Sequence, residues 1–277
     1  MTAYPALRAA GATDVGRVRE VNEDSFVMLP AVAVVADGMG GHASGDVAST
    51  LAVETFQRRF ASINPVPEDI VEAVEAANSA ITSEASRSSA KQGMGTTLTG
   101  VALVESEGAP HWLVFNVGDS RVYRLSPAGV TQVTVDHSEV AVMVQAGMIT
   151  PEEARVHPLR NVITRSLGTY PAPQADTWLI DIAPDDIFLL CSDGLTGELE
   201  DHEIHEITSK TLGVGGSIDN LAQRLVDAAV ASGGRDNVTV VLVTPPPSLF
   251  TAPAESDASA SETDVSTSGS DVSAHHE

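Results

Sequence analysis

Two spacings of apolar residues alternate along this chain. Short runs rich in β-branched residues recur at 31–36, 96–104, 112–117, 121–125, 130–135, 178–182, 187–191 and 238–243. Runs of this length and make-up, several of them stopping at Asp, Gly or Ser, predict buried strands. Other stretches follow the helical period. Over 44–60, Val47 and Leu51 line up with Ala48, Ala52 and Phe56, and farther on Ile70, Val74, Ala77 and Ile81 form a second stripe behind Pro67, Glu68 and Asp69. Each stripe predicts a one-faced helix, and a proline with acidic residues suits the first turn of the second. Helices are also predicted over 139–145, after Thr150 where Pro151 and Glu153 complete a capping box, and over 201–208 and 218–231. Strand runs and helix pairs are segregated rather than strictly alternating. That arrangement favours an α+β fold, a β-sandwich flanked by helices, over a doubly wound parallel sheet.

Composition changes sharply after Val243. Residues 245–277 carry acidic, Ser, Thr and Ala residues, no Lys or Arg, and almost nothing that builds a core. The expectation is a folded domain over 1–244 and a disordered acidic tail over 245–277, with the neighbouring His275 and His276 inert. The whole chain of 277 residues has a net charge of −23, a field that repels nucleic acid and anionic lipid. No apolar stretch approaches the roughly 20 residues of a membrane span. The N-terminus lacks a leader pattern, and the single cysteine, Cys191, leaves no internal disulfide framework. These features predict a cytoplasmic protein, with Cys191 a buried small hydrophobe at a strand end.

Candidate chemistry sits where the strand runs stop. Asp37, Asp119, Asp193 and Asp236 each stand at the edge of an apolar run, three of them beside glycine. A single Asp-Gly is a turn signal, but sheets bring such ends to a common rim, where like charges repel unless cations lie between them. Carboxylates with a backbone carbonyl and waters suit Mg²⁺ or Mn²⁺, and two such ions suit hydrolysis of a phosphoester. A dianionic substrate also needs a positive anchor, which Arg19, beside Glu23 and Asp24, supplies as a guanidinium fork.

With GRVREVNEDSF at 16–26, VADGMGGHASGDVAS at 35–49, GMGTTLTG at 93–100, NVGDSRVY at 116–123, CSDGL at 191–195 and GRDNVTVVLV at 234–243, the chain resembles the metal-dependent protein phosphatases of type 2C in their bacterial form. The match runs over about residues 8 to 243, and the stretch from Asp136 to Gly168 resembles the family's flap segment. The resemblance implies a central antiparallel β-sandwich flanked by pairs of helices in α-β-β-α layers. It implies a serine/threonine phosphatase in which a water or hydroxide bridging two Mn²⁺ or Mg²⁺ ions attacks phosphorus directly, acting on cytoplasmic phosphoproteins and opposing Hanks-type kinases. By position it makes Asp37 the bridging ligand, with the Gly38 carbonyl on the second ion and Asp193 and Asp236 on the first. Asp119, with Asp193, matches a weaker third site. Glu23 and Asp24 match an acidic pair acting through water, and Arg19 matches the arginine that grips phosphate. Two positions depart from the pattern. Met39 stands where eukaryotic members have a general-acid histidine, leaving His42 as the candidate, and Asp46 replaces a glutamate common in bacterial relatives.

Two other readings are weighed against this one. Gly38-Met39-Gly40-Gly41-His42-Ala43 fits a dinucleotide-binding fingerprint, which requires a second parallel strand ending in an acidic residue about 20 positions on. The other is a catalytically inactive phosphatase-like binding module, which the presence of every inferred carboxylate disfavours. The sequon at Asn237 is read as coincidence, and Trp112 and Trp178 as core or rim packing.

Overall fold

Strands that are apolar on both faces need cover on both sides. The computed structural model, which describes residues 5–40, 44–61 and 65–250, meets this need with four layers. One sheet orders β1 (Arg8–Asp14), β11 (Val238–Thr244), β10 (Ile187–Cys191), β7 (Arg121–Ser126) and β8 (Gly129–Gln132). The second orders β2 (Asp24–Met28), β3 (Val32–Met39), β5 (Leu98–Ser106), β6 (Ala109–Val117) and β9 (Asp176–Asp181), with the two-residue β4 (Gly95–Thr96) on β3. Helices α1 (Gly45–Phe60) and α2 (Pro67–Ala85) cover the second sheet, while α6 (Asp201–Leu212) and α7 (Ile218–Ser232) cover the first. Three short helices, α3 (Glu139–Gln145), α4 (Pro151–Val156) and α5 (Asp193–Thr196), lie on the connections. The fold is the α+β sandwich expected.

Side-chain alternation divides the core into three layers. In β3, Val32, Val34 and Ala36 meet the helices, whereas Ala33 and Val35 face the other sheet. In β11, Val238, Val240 and Leu242 pack on the helical side, and Val241 and Val243 point between the sheets. This double burial is why these strands read as continuous apolar runs. Helix α1 is seated by Phe56, whose ring stacks on Phe115 of β6 at 5.6 Å. Gly100 makes room for that stack, because a Cβ there would fall 2.1 Å from the Phe115 ring.

Every strand pair among the described residues is antiparallel. The chain passes from β3 through α1 straight into α2, so the parallel strand that a dinucleotide-binding unit requires does not follow. That alternative is overturned. Strands β1 and β2 were not anticipated. β1 reads RAAGATD, with only Ala10 and Ala12 buried, and is held by its register with β11 from Arg8↔Thr244 to Asp14↔Val238. β8 stops at Gln132 rather than at 135, because the Thr134 hydroxyl, not a backbone carbonyl, accepts from the Val122 N–H at 3.1 Å. Beyond β11 a 3-10 turn at Pro247–Leu249 brings Leu249 against the layer between the sheets. Trp112 is fully buried and donates its indole N–H to Asp186 at 2.9 Å. No described helix is long and apolar enough to cross a membrane. Residues 251–277, including His275 and His276, lie outside the described residues.

Candidate active site

Asp37 closes the apolar run of β3, Asp119 follows β6, Asp193 follows β10 as the first residue of α5, and Asp236 stands two residues before β11. β10 and β11 are antiparallel neighbours, and β5 joins β3 to β6. The four strand ends therefore share one end of the sandwich, two from each sheet. Asp24, at the start of β2, stands opposite Asp37 in the ladder.

The backbone around these residues is tightly pinned. The Asp37 N–H donates to Thr97 Oγ1 at 2.9 Å, and its carbonyl accepts from the Thr97 N–H at 2.9 Å and from Thr96 Oγ1 at 2.8 Å. Thr97 Oγ1 lies 2.7 Å from Ser120 Oγ, tying β3 to the turn that carries Asp119. The Gly38 N–H donates to the Glu23 carbonyl at 3.1 Å. A Cβ on Gly38 would fall 2.2 Å from the Gly45 carbonyl oxygen, so only glycine lets β3 pass this close to the start of α1. One Glu23 carboxylate oxygen accepts from the Gly45 N–H at 3.2 Å, placing negative charge at the N-terminus of α1. Asp46 turns its own carboxylate to the Val47 N–H at 2.8 Å.

Burial and crowding act on the carboxylates together. Burial first, and then the neighbouring charges of Asp24, Asp193, Asp119 and Asp236, hold the Asp37 carboxyl well above the usual carboxylate range. Asp24, Asp119 and Asp193 are raised as well, each chiefly by burial and next by neighbouring Asp charges, although Asp24 is partly relieved by hydrogen bonds. For Asp193 the nearby Asp37 carboxyl and the Arg19 and Arg121 guanidiniums offset part of that rise. Asp24 Oδ2 accepts from Ser192 Oγ at 2.8 Å. The structure thus brings together Asp24, Asp37, Asp119, Asp193 and Asp236, with Gly38 and Glu23 alongside. Arg19 is half exposed and donates to Asp236 Oδ2 at 2.7 Å, so its guanidinium already rests against this group. His42 lies outside the described residues, and Met39 pairs with Gly95 in the β3–β4 ladder.

A cavity of about 660 Å³ opens over the rim. Asp119, Asp193 and Asp236 line one side, and Val140, Val144 and Ala154 of α3 and α4 line the other. The flap segment is fastened at both ends. His137 donates its N–H to the Gly118 carbonyl at 2.9 Å and accepts the Gly118 N–H on Nδ1 at 3.0 Å. Its Nε2 reaches Asp176 at 3.1 Å, which assigns the proton to Nε2. At the far end Leu167 exchanges backbone hydrogen bonds with Thr96 at 2.9 and 3.2 Å. His137, Ser192, Thr97 and Asn237 were missed in the sequence as parts of this site. For Ser192, Thr97 and Asn237 the signal was adjacency, since each sits within three residues of a glycine at a strand end, whereas His137, eight positions from its nearest glycine, carried no such signal. Cys191 is buried, with its thiol pushed up to about 12 by burial, and is chemically quiet as expected. Asn237 is 5% exposed with its amide fully hydrogen-bonded, so the sequon is inaccessible.

A pair of divalent ions fits the donor chemistry of the rim. All the available ligands are hard oxygens, and Asp24 Oδ1 and Asp119 Oδ1 are buried without a hydrogen-bond partner among the described residues. Among those residues no three His, Cys, Asp or Glu side chains already enclose an ion as they stand. The fit therefore rests on the oxygen donors and on the two unpartnered atoms.

Comparison with known proteins gives the same answer. The model of the family described as Protein phosphatase 2C matches residues 17–228. The chain is 34% identical over 248 residues to the serine/threonine phosphatase stp of Listeria monocytogenes, covering 86% of this chain and 95% of that one. It is 38% identical over 240 residues to the serine/threonine protein phosphatase PstP of Mycobacterium tuberculosis, covering 85% of this chain and 44% of that protein. Among solved structures, Stp1 from Staphylococcus aureus superposes with a TM-score of 0.80 at 33% identity, covering 89% of this chain and 98% of that one. The catalytic domain of PstP in complex with two manganese ions superposes with a TM-score of 0.75 at 35% identity, covering 86% and 98%. On sequence, fold and the arrangement of its acidic rim, this chain belongs to the protein phosphatase 2C family.

Proposed function

We propose that the chain is a Mn²⁺- or Mg²⁺-dependent phosphatase that removes phosphate from phosphoserine and phosphothreonine side chains of cytoplasmic proteins, opposing Hanks-type kinases. The observation that carries this reading is the set of buried aspartates from both sheets at one rim, facing a cavity large enough for a phosphorylated side chain. Bound divalent ions supply activation of a water for in-line attack and neutralise charge on the phosphoryl oxygens. In this reading Asp37, the Gly38 carbonyl, Asp193 and Asp236 hold the two core ions, and Asp119 with Asp193 holds a third. Glu23 and Asp24 act through water, and the Ser192 hydroxyl keeps Asp24 oriented.

Arg19 grips the dianionic phosphate. It leaves Asp236 Oδ2 for the substrate or keeps one N–H on each, since a guanidinium carries five donors. The flap helices line one side of the cavity, so a seated substrate displaces water from it and strengthens the charge interactions within it. His42 remains the candidate for protonating the leaving alkoxide.

The deciding experiment is hydrolysis of a phosphothreonine peptide with Mn²⁺ or Mg²⁺, with and without a chelator, beside Asp193→Ala. Phosphate release that needs metal and disappears in the variant is the expected result. A folded protein that releases none with any divalent metal would instead be a binding module.

A further inference from the structure

Arg19 sits on an irregular loop, and something must hold that loop if the guanidinium is to meet a phosphate in one place. Three contacts bring the loop to the start of β11. The Arg17 N–H donates to the Gly234 carbonyl at 2.7 Å. Gly16, at φ +81, packs so closely that a Cβ would lie 2.3 Å from the Asp236 carbonyl oxygen. The third contact is the Asn237 side chain, whose Nδ2 donates to the Val15 and Val21 carbonyls, both at 3.0 Å, while Oδ1 accepts from the Glu23 N–H at 2.8 Å. Only one orientation of the amide satisfies all three bonds, because two of the partners are acceptors and one is a donor.

Val15 and Val21 are the two sides of the neck of the loop that presents Arg19. A single amide therefore closes that neck, and its remaining atom fixes Glu23 at the exit. Asn237 is itself immobilised. Its N–H donates to Asp236 Oδ1 at 2.8 Å, and Gly194 of α5 approaches so closely that a Cβ would lie 1.9 Å from the Asn237 carbonyl oxygen. The segments bearing Arg19, Glu23, Asp193 and Asp236 thus meet at one buried residue.

We propose that Asn237 is a positioning residue for phosphate binding, acting through Arg19 by clamping the neck of its loop. This rests on the phosphatase reading above. Loop closure is costly for a chain to hold by itself, and a misplacement near 1 Å suffices to weaken a bidentate contact. The effect is expected on substrate binding more than on turnover.

The test is a double-mutant cycle on p-nitrophenyl phosphate at saturating Mn²⁺, with Asn237→Ala, Arg19→Ala and the pair. Asn237→Ala is expected to raise KM about tenfold while kcat changes by less than about threefold, and to add less than about twofold to KM once Arg19 is gone. Calorimetric Mn²⁺ affinity of Asn237→Ala should stay within about twofold of wild type, a difference below about 0.5 kcal/mol. Independent, multiplying effects on KM would overturn the proposal, and so would weakened Mn²⁺ binding, which would place the action of Asn237 on Asp236 instead. Should the variant not fold, the wild-type Asn237 side-chain amide protons decide, since the clamp requires both to be protected from solvent exchange and rapid exchange refutes it. If the wild type releases no phosphate, the phosphatase reading fails, and the exchange measurement alone decides the clamp.

Discussion

Helix α2 buries Ile70, Ala73, Val74, Ala77 and Ile81 against its sheet, whereas α3 and α4, across the cavity from the aspartates, contain no buried residue. Both regions carry clear helix signals. Thr150 and Glu153 make a full capping box on α4, with bonds of 3.2 and 2.8 Å, and Ser138 caps α3 at 3.3 Å. The difference is that α1 and α2 are paid for by burial and the flap helices by capping and by their two fastened ends. Val142, Met148 and Val156 in the flap are each more than half exposed. The rim is thus a rigid floor under a lightly packed cover, which is what a site needs if it must hold charges fixed while admitting a protein substrate.

Two glycines make the sharpest contrast. Gly38→Ala would drive a Cβ to 2.2 Å from the Gly45 carbonyl oxygen, so β3 and α1 must separate and Asp37 must shift with them. Turnover should fall by about 10² or more, the loss that a displacement near 1 Å produces. Gly147→Ala in the flap meets nothing within 4 Å, though its φ of +69 adds strain. Its cost should be about 1 kcal/mol of local stability with turnover within about twofold. Side-by-side kcat measurements check both, and equal losses would break the contrast.

Stability should divide the same way. Phe56→Ala removes a fully buried ring stacked on Phe115 and should cost about 3–5 kcal/mol in urea unfolding. Val142→Ala, at 53% exposure, should stay within about 0.5 kcal/mol. Thr150→Ala is intermediate in principle, since a lost cap costs about 1 kcal/mol, but the loss should be confined to α4. Hydrogen exchange should quicken at α4 amides while the global melting midpoint holds. A matching fall in the midpoint would mean that the flap belongs to the cooperative core.

The sequence made the rim legible because its residues sit at the ends of strong apolar runs, where spacing alone marks them. β1 and β2 were illegible for the opposite reason. In RAAGATD the stabilising partner is the ladder to β11, a contact more than two hundred residues away in the chain that no local pattern encodes. The same holds for Asn237. Its neighbour Asp236 could be read as a ligand, but its three bonds to the loop at 15–23 exist only after folding. Arg19 was read as an anchor for substrate, and its present bond to Asp236 depends on tertiary approach.

The smallest effect expected concerns the hinge of the cover rather than its helices. Burial lowers the pKa of His137, outweighing the opposing hydrogen bond to Asp176, with Arg165 lowering it further and Asp136 raising it. The folded protein therefore holds a neutral imidazole with Nδ1 free to accept the Gly118 N–H. The unfolded chain protonates this ring near its ordinary value of about 6.5, so between the lowered folded value and about 6.5 the unfolded state binds more protons. Stability from this group is complete above about 6.5 and declines as pH falls below it. Protonation also removes the acceptor for Gly118, so the loss should centre on the flap attachment. After correction for intrinsic rates, exchange of the Gly118 amide should be faster at pH 5.5 than at pH 7.5 in the wild type, and the difference should vanish in His137→Asn. Unchanged protection across that range would show that the hinge is held by the backbone bonds alone, making the cover as rigid at its root as the rim it faces.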